Sequence, residues 1–123
     1  MAQETLTTLD VPKPVTISRF VPSGEERTIG TATAQYPDCS SRGSIVARVI
    51  EKPAHGDVSF ENGDIFPNYV PTLPLSACNA KRAPGLMINY RSKKDFTGQD
   101  NMKVFLIFPD GSGLQWDYMV IVK

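Results

Sequence analysis

No part of this 123-residue chain repeats its apolar residues at i, i+3, i+4 and i+7 over three turns. Seven or eight short runs rich in β-branched and aromatic residues are separated instead by turn-forming clusters drawn from ten prolines and nine glycines. Period-two runs suit strands that bury one face, whereas an amphipathic helix needs the 3.6-residue repeat. The chain is therefore expected to be all-β, most economically a two-sheet antiparallel sandwich of about seven strands. With 41% hydrophobic residues it has apolar mass for one core and too little for two, so residues 14–123 are expected to form a single domain.

Residues 1–13 are polar and threonine-rich, with Pro12 and Pro14 interrupting any ladder, and are expected to be a flexible start leading into an edge strand. Residues 15–21 alternate apolar and polar, and residues 27–36 place Gly30, Ala32, Ala34 and Tyr36 on one extended face. Residues 44–50 are β-branched and stopped by Pro53, the pattern of a central strand. Asn62-Gly63, set between residues 57–60 and 65–66, predicts a hairpin because that pair readily takes the positive φ angles of a two-residue turn. Residues 67–84 hold Pro67, Pro71, Pro74 and Pro84 with little periodicity, and read as a long tethered loop. Strands are expected again at 86–90, 103–108 and 115–122, with a polar crossover at 91–99 and with Trp116, Tyr118, Val120 and Val122 on one face of the last.

Cys39 and Cys78 are the only cysteines, and both lie among turn-forming residues outside the apolar runs. That placement predicts a disulfide and hence an oxidising compartment, periplasmic or extracellular. Closing a loop of about 40 residues would contribute about 4 kcal/mol in the chain-entropy model. Ala2-Gln3-Glu4 would suit the first residues left after removal of a signal peptide, with Met1 an added start. No run approaches the length of a membrane span, so the chain is not expected to be membrane-spanning. Thirteen basic residues balance thirteen acidic ones, which together with the lack of aromatics interleaved with basic residues argues against nucleic acid as a partner.

Pro53, His55, Gly56 and Val58, then Tyr90, then Phe96, Gly98 and Asp100, then the closing Val120-Ile121-Val122 form a pattern that resembles the bacterial immunoglobulin-like and cadherin-like tandem-repeat domains. The resemblance covers roughly the last 70 residues and implies an immunoglobulin-like sandwich. Ser92 stands where the family's proline after Tyr90 would fall, and Met102 and Val104 replace its usual aromatics. The pattern residues also have a physical reading of their own. Gly56 and Gly98 suit positive φ or close backbone approach, Phe96 can pin the crossover onto the core, and the Asp100 carboxylate can accept backbone N–H groups of the turn.

Catalysis has little support. His55 is the only histidine and sits in a Pro-Ala-His-Gly turn setting, and no Gly-x-Ser-x-Gly elbow surrounds a serine, so no enzyme activity is expected. Two cysteines and one histidine cannot complete a zinc or blue-copper set, and neither Asp57, Glu61 and Asp64 nor Asp95 and Asp100 show calcium-loop spacing, so no metal or cofactor is expected. Two surfaces remain. Lys81, Arg82, Arg91, Lys93 and Lys94 would form an anion-binding patch if the long loop folds beside the crossover. Tyr69 and Leu73 could anchor a partner from the proline-stiffened loop. The expected role is a non-catalytic binding module for an envelope protein, glycan or lipid headgroup; the alternative is a structural envelope unit that associates through an edge strand.

Overall fold

The computed structural model describes residues 13–123; the expectation for residues 1–13 falls, all but its last residue, outside that range. Seven strands are present: β1 (Val15–Val21), β2 (Glu26–Thr33), β3 (Val46–Glu51), β4 (Gly56–Ile65), β5 (Ala83–Ser92), β6 (Gly98–Ile107) and β7 (Gly113–Val122). They form a four-stranded sheet in the order β1-β7-β6-β3 and a three-stranded sheet in the order β2-β5-β4. The expected two-sheet sandwich is thus the observed one. All pairings are antiparallel except β1 with β7, which runs parallel from Val15↔Trp116 to Val21↔Val122.

The alternation read from sequence fixes which faces meet. Tyr118, Val120 and Val122 of β7 point inward beside Met102, Val104 and Leu106 of β6, opposite Leu86, Ile88 and Tyr90 of β5. All nine are buried, and burial of such side chains supplies about 1.5–3 kcal/mol each. Ile29 joins them from β2 because the bulge between Thr28 and Gly30 turns two successive residues toward the interior.

Three local expectations are corrected. Residues 44–50 do not give a central strand; β3 lies at the free edge of the four-stranded sheet. Asn62-Gly63 makes no hairpin, since β4 runs unbroken and pairs ten residues with β5, from Gly56↔Ser92 to Ile65↔Ala83. A local turn preference is worth little against a full ladder, and a Cβ on Gly63 would stand 2.8 Å from the Met87 methyl, so the glycine serves close packing. The 67–84 segment is shorter than expected and contains a 3-10 helix, Pro74–Ala80. Pro84 lies inside β5, opposite Asp64 and one residue beyond the last β2 pairing, Thr33↔Gly85, so its missing N–H leaves no gap in the ladder.

Candidate functional site

The pattern residues converge, and what they build is a clasp between the sheets. Asp100, on β6, is 2% exposed. Its Oδ2 accepts the Tyr90 hydroxyl of β5 at 2.6 Å, and its two oxygens accept the backbone N–H groups of Ala54 and His55 at 3.0 and 3.1 Å. The carboxylate therefore plays the turn-binding role read from sequence. The His55 ring stacks on Phe96 at 4.2 Å, and the Lys93 N–H donates to the His55 carbonyl, so Phe96 holds the crossover to the turn. Gly56 is required by close approach, because a Cβ there would meet the Arg91 carbonyl at 2.6 Å and the Tyr90 hydroxyl at 2.7 Å. Gly98 carries φ +133°, a backbone shape that side-chain-bearing residues rarely adopt. Pro53 is half-buried at the start of this turn. Burial and the Asp100 hydrogen bond both push the Tyr90 phenol well above its ordinary range. Every polar atom of the clasp core has a partner, which is the signature of a structural device.

The five expected cations do not form one patch. Lys81 and Arg82 precede the first residue of β5, while Arg91, Lys93 and Lys94 stand at its end, about 30 Å away at the rise of a ten-residue strand. Arg82 donates to the Asp64 carbonyl and covers the Phe66 ring at 4.7 Å. Arg91 donates to the Gly24 carbonyl and lies 3.9 Å from Glu26. Asp57 and Glu61 share one face of β4 and Asp64 takes the other, so the three carboxylates do not converge.

The loop side is different. The disulfide joins Cys39 to Cys78, with Cα atoms 5.5 Å apart, and ties the 3-10 helix to the turn that follows β2. Asn79 brackets Tyr69 by accepting its N–H and donating to its carbonyl, both at 2.9 Å. Thr33 donates to the Tyr69 hydroxyl at 3.1 Å, which holds this side chain against β2. Leu73 stays exposed on the outside of the loop.

Tyr69 borders a cleft of about 690 Å³ along the side of the sandwich where β1 and β2, edges of different sheets, face each other without pairing. Along it, the side chains of Trp116 and Tyr118 come from β7, Ile17 and Arg19 from β1, and the backbone of Gly30 from β2. The Trp116 and Tyr118 rings meet edge to face at 6.1 Å. Small residues on β2 make the space: a Cβ on Gly30 would run into the Tyr118 hydroxyl. Arg19 reaches across the gap, its Nε donating to the Ile29 carbonyl and its Nη1 to the Ser18 carbonyl, each at 2.9 Å.

Tyr118 is 2% exposed, and its hydroxyl has no hydrogen-bond partner among the described residues. Burial pushes its phenol up to about 12, with the nearby Arg19 cation pulling the other way. The one other buried side-chain polar atom without a described partner is Gln35 Oε1. Gln35 lines an adjoining hollow of about 210 Å³, and the two hollows share Thr33, Tyr69 and Phe108. Of the candidate binding residues read from sequence, Tyr69 alone lies on the cleft. Arg19, Trp116 and Tyr118 were not marked as functional, although an arginine on the same face as Ile17 and Val21 of β1 was a readable signal.

No group of three or more His, Cys, Asp or Glu side chains among the described residues could hold a metal ion, and none of their helices is long and apolar enough to cross a membrane. Comparison with protein-family models, with curated proteins and with solved structures gave no match.

Proposed function

We propose that this chain is a non-catalytic recognition module of the immunoglobulin-like kind, working in the periplasm or outside the cell, and that it takes its ligand in the cleft between β1 and β2. One observation carries the reading: a concave, aromatic-lined space of about 690 Å³ where a buried tyrosine hydroxyl lacks a partner. Ligand sites are mostly apolar hollows of about 300–1,000 Å³ with a few convergent polar groups. Buried polar atoms are otherwise paired, so an unpaired one at such a hollow is a group held ready. The disulfide supports both the compartment and the site, because it fixes the loop that carries Tyr69. The partner class remains an envelope protein, glycan or lipid, met here at the cleft instead of at one basic patch.

The test is an amide NMR titration of the oxidised protein with envelope extract from the source cell, divided into small-molecule and macromolecular fractions. Shifts confined to residues 28–33, Tyr69 and 114–118 are the expected result. Shifts only at Arg91, Lys93 and Lys94 would move the site to the other pole, and no shift with either fraction would overturn the binding role.

A second reading has one observation of its own. The outer edge of β3 is unpaired and exposes Val46 and Ile50, which suits addition of a strand from a partner. Against it, the bulge between Val49 and Glu51 twists that edge and Arg48 charges it. Sedimentation that stays monomeric up to millimolar concentration would remove self-association at this edge.

A further inference from the structure

From the side chains that line the cleft, we infer that its ligand is a small organic carboxylate, its apolar, ring-bearing body against Trp116 and Tyr69 and its carboxylate at Arg19 beside the Tyr118 hydroxyl. This rests on the cleft being the ligand site and goes further by naming the chemistry that fills it.

The strand register sets the order. Trp116 lies beside Val15 at the start of β1, Tyr118 beside Ile17, and Val120 beside Arg19. The aromatic and aliphatic lining, with Phe108, Leu114 and Tyr69, is therefore gathered at one end. The Arg19 backbone stands about 13 Å further along β1 than Val15 at the rise of a strand, but its side chain reaches the Ile29 carbonyl, next to Gly30. The Tyr118 hydroxyl and the Trp116 ring both lie against Gly30. An aromatic ring, a hydroxyl and a guanidinium that meet at Ile29 and Gly30 suit a molecule that carries one charged group beside an apolar ring.

The sign of the charge follows from what lines the space. Among the described residues, Arg19 is the one charged residue lining the cleft, and it forms no ion pair with any of them. A cation would meet uncompensated repulsion there, whereas an anion gains a charge-assisted hydrogen bond. Two hydrogen bonds to backbone carbonyls already fix the guanidinium across the gap, so little side-chain freedom is lost when a ligand binds. The Tyr118 O–H can donate to the second carboxylate oxygen or to a polar atom next to it, and this would satisfy the buried hydroxyl. A carboxylate can accept from both donors, whereas a neutral apolar ligand would leave the hydroxyl unpaired.

Trp116 is the only tryptophan of the chain, so intrinsic fluorescence reports on this site directly. The experiment titrates the full oxidised chain with 4-phenylbutyrate, its neutral amide and its amine counterpart, 4-phenylbutylamine, following Trp116 emission and the amide signals of Ile29, Gly30 and Tyr118. The acid is expected to bind at least tenfold more tightly than the amide, with no response to the amine. In Arg19→Met the acid and amide should come within twofold of each other, while Arg19→Lys, which keeps the charge and loses the fork, should fall between.

Each failure is distinct. Equal binding of acid and amide to the unaltered protein keeps the cleft as the site and overturns the carboxylate. Preference for the acid that survives Arg19→Met moves the anion elsewhere and also overturns it. No response to any of the three, with nuclear Overhauser contacts from Leu6, Leu9 or Val11 to the Trp116 ring, would make the chain's own first residues the occupant. No response without such contacts overturns the inference together with the role of the cleft.

Discussion

Tyr90 and Tyr118 hold equivalent places: each is on an inner strand of its sheet, β5 and β7, and each is buried to within 2%. Their hydroxyls have opposite fates. Tyr90 donates to Asp100 and completes a clasp, whereas Tyr118 ends against Gly30 at the floor of a cleft with no described partner. Stability alone would favour either a partner for Tyr118 or a phenylalanine in its place, because a buried unpaired hydroxyl costs about 1–3 kcal/mol. The clasp is what the fold needs; the unpaired hydroxyl is a reason to look for something outside it.

The two ends are also secured differently, and the largest expected effect tests this. Replacing Cys39 and Cys78 together by alanine should lower unfolding stability by about 4 kcal/mol, read as a shift of the urea midpoint. The amide shifts should gather around Tyr69 and leave the clasp unmoved. Equal disturbance at Asp100 would mean that the two ends are not independent.

Asp100→Ala attacks the other end. It removes the acceptor of the Tyr90 hydroxyl and of the Ala54 and His55 N–H groups, and should cost about 3 kcal/mol by the same measurement. Ligand response at Trp116 should persist in whatever fraction is folded. A loss below 1 kcal/mol would show that the clasp is not what joins the sheets at this end.

Raising the pH tests both tyrosines together. A phenol with its folded pKa above the ordinary 10 keeps its proton in the native state while the unfolded chain has begun to lose it. The associated stability is complete below about pH 10 and is lost as pH rises. For Tyr118, raised to about 12, the loss amounts to about 2–3 kcal/mol over that window, and Tyr90 adds to it in the same direction. Urea melts at pH 8 and about pH 11 should therefore differ, and the difference should shrink in Tyr118→Phe. A pH-independent midpoint would contradict the burial of both phenols.

The residues of the clasp were marked in sequence and those of the cleft were not, for a physical reason. Gly98 needs its positive φ and Gly56 and Asp100 sit at turns, which marks them along the chain, although the groups that meet them, Tyr90, Arg91, Ala54 and His55, come from distant segments. The cleft arises where β1 and β2 fail to pair, a property of sheet order that no local window contains. The same limit explains the false hairpin at Asn62-Gly63, whose turn preference is overridden by a ladder to residues more than twenty positions away. It also explains the basic cluster, which was compact along the chain but is divided by the length of β5. Arg19 was the exception, since its place on the same side of β1 as Ile17 and Val21, though exposed, is visible from alternation alone.

The smallest stability effect is the sharpest discriminator. Tyr90→Phe leaves Asp100 with one hydrogen bond fewer and should cost about 1–2 kcal/mol. Tyr118→Phe removes a hydroxyl with no partner among the described residues, so it should not destabilise, and a gain of about 1 kcal/mol is the natural direction. The asymmetry should reverse on binding. Affinity for an aryl carboxylate should be untouched by Tyr90→Phe, whose hydroxyl lies in the clasp, and should fall several-fold in Tyr118→Phe, which loses a donor at the cleft. If Tyr118→Phe destabilises the free protein as much as Tyr90→Phe does, its hydroxyl already has a partner, and the distinction between the clasp and the cleft no longer holds.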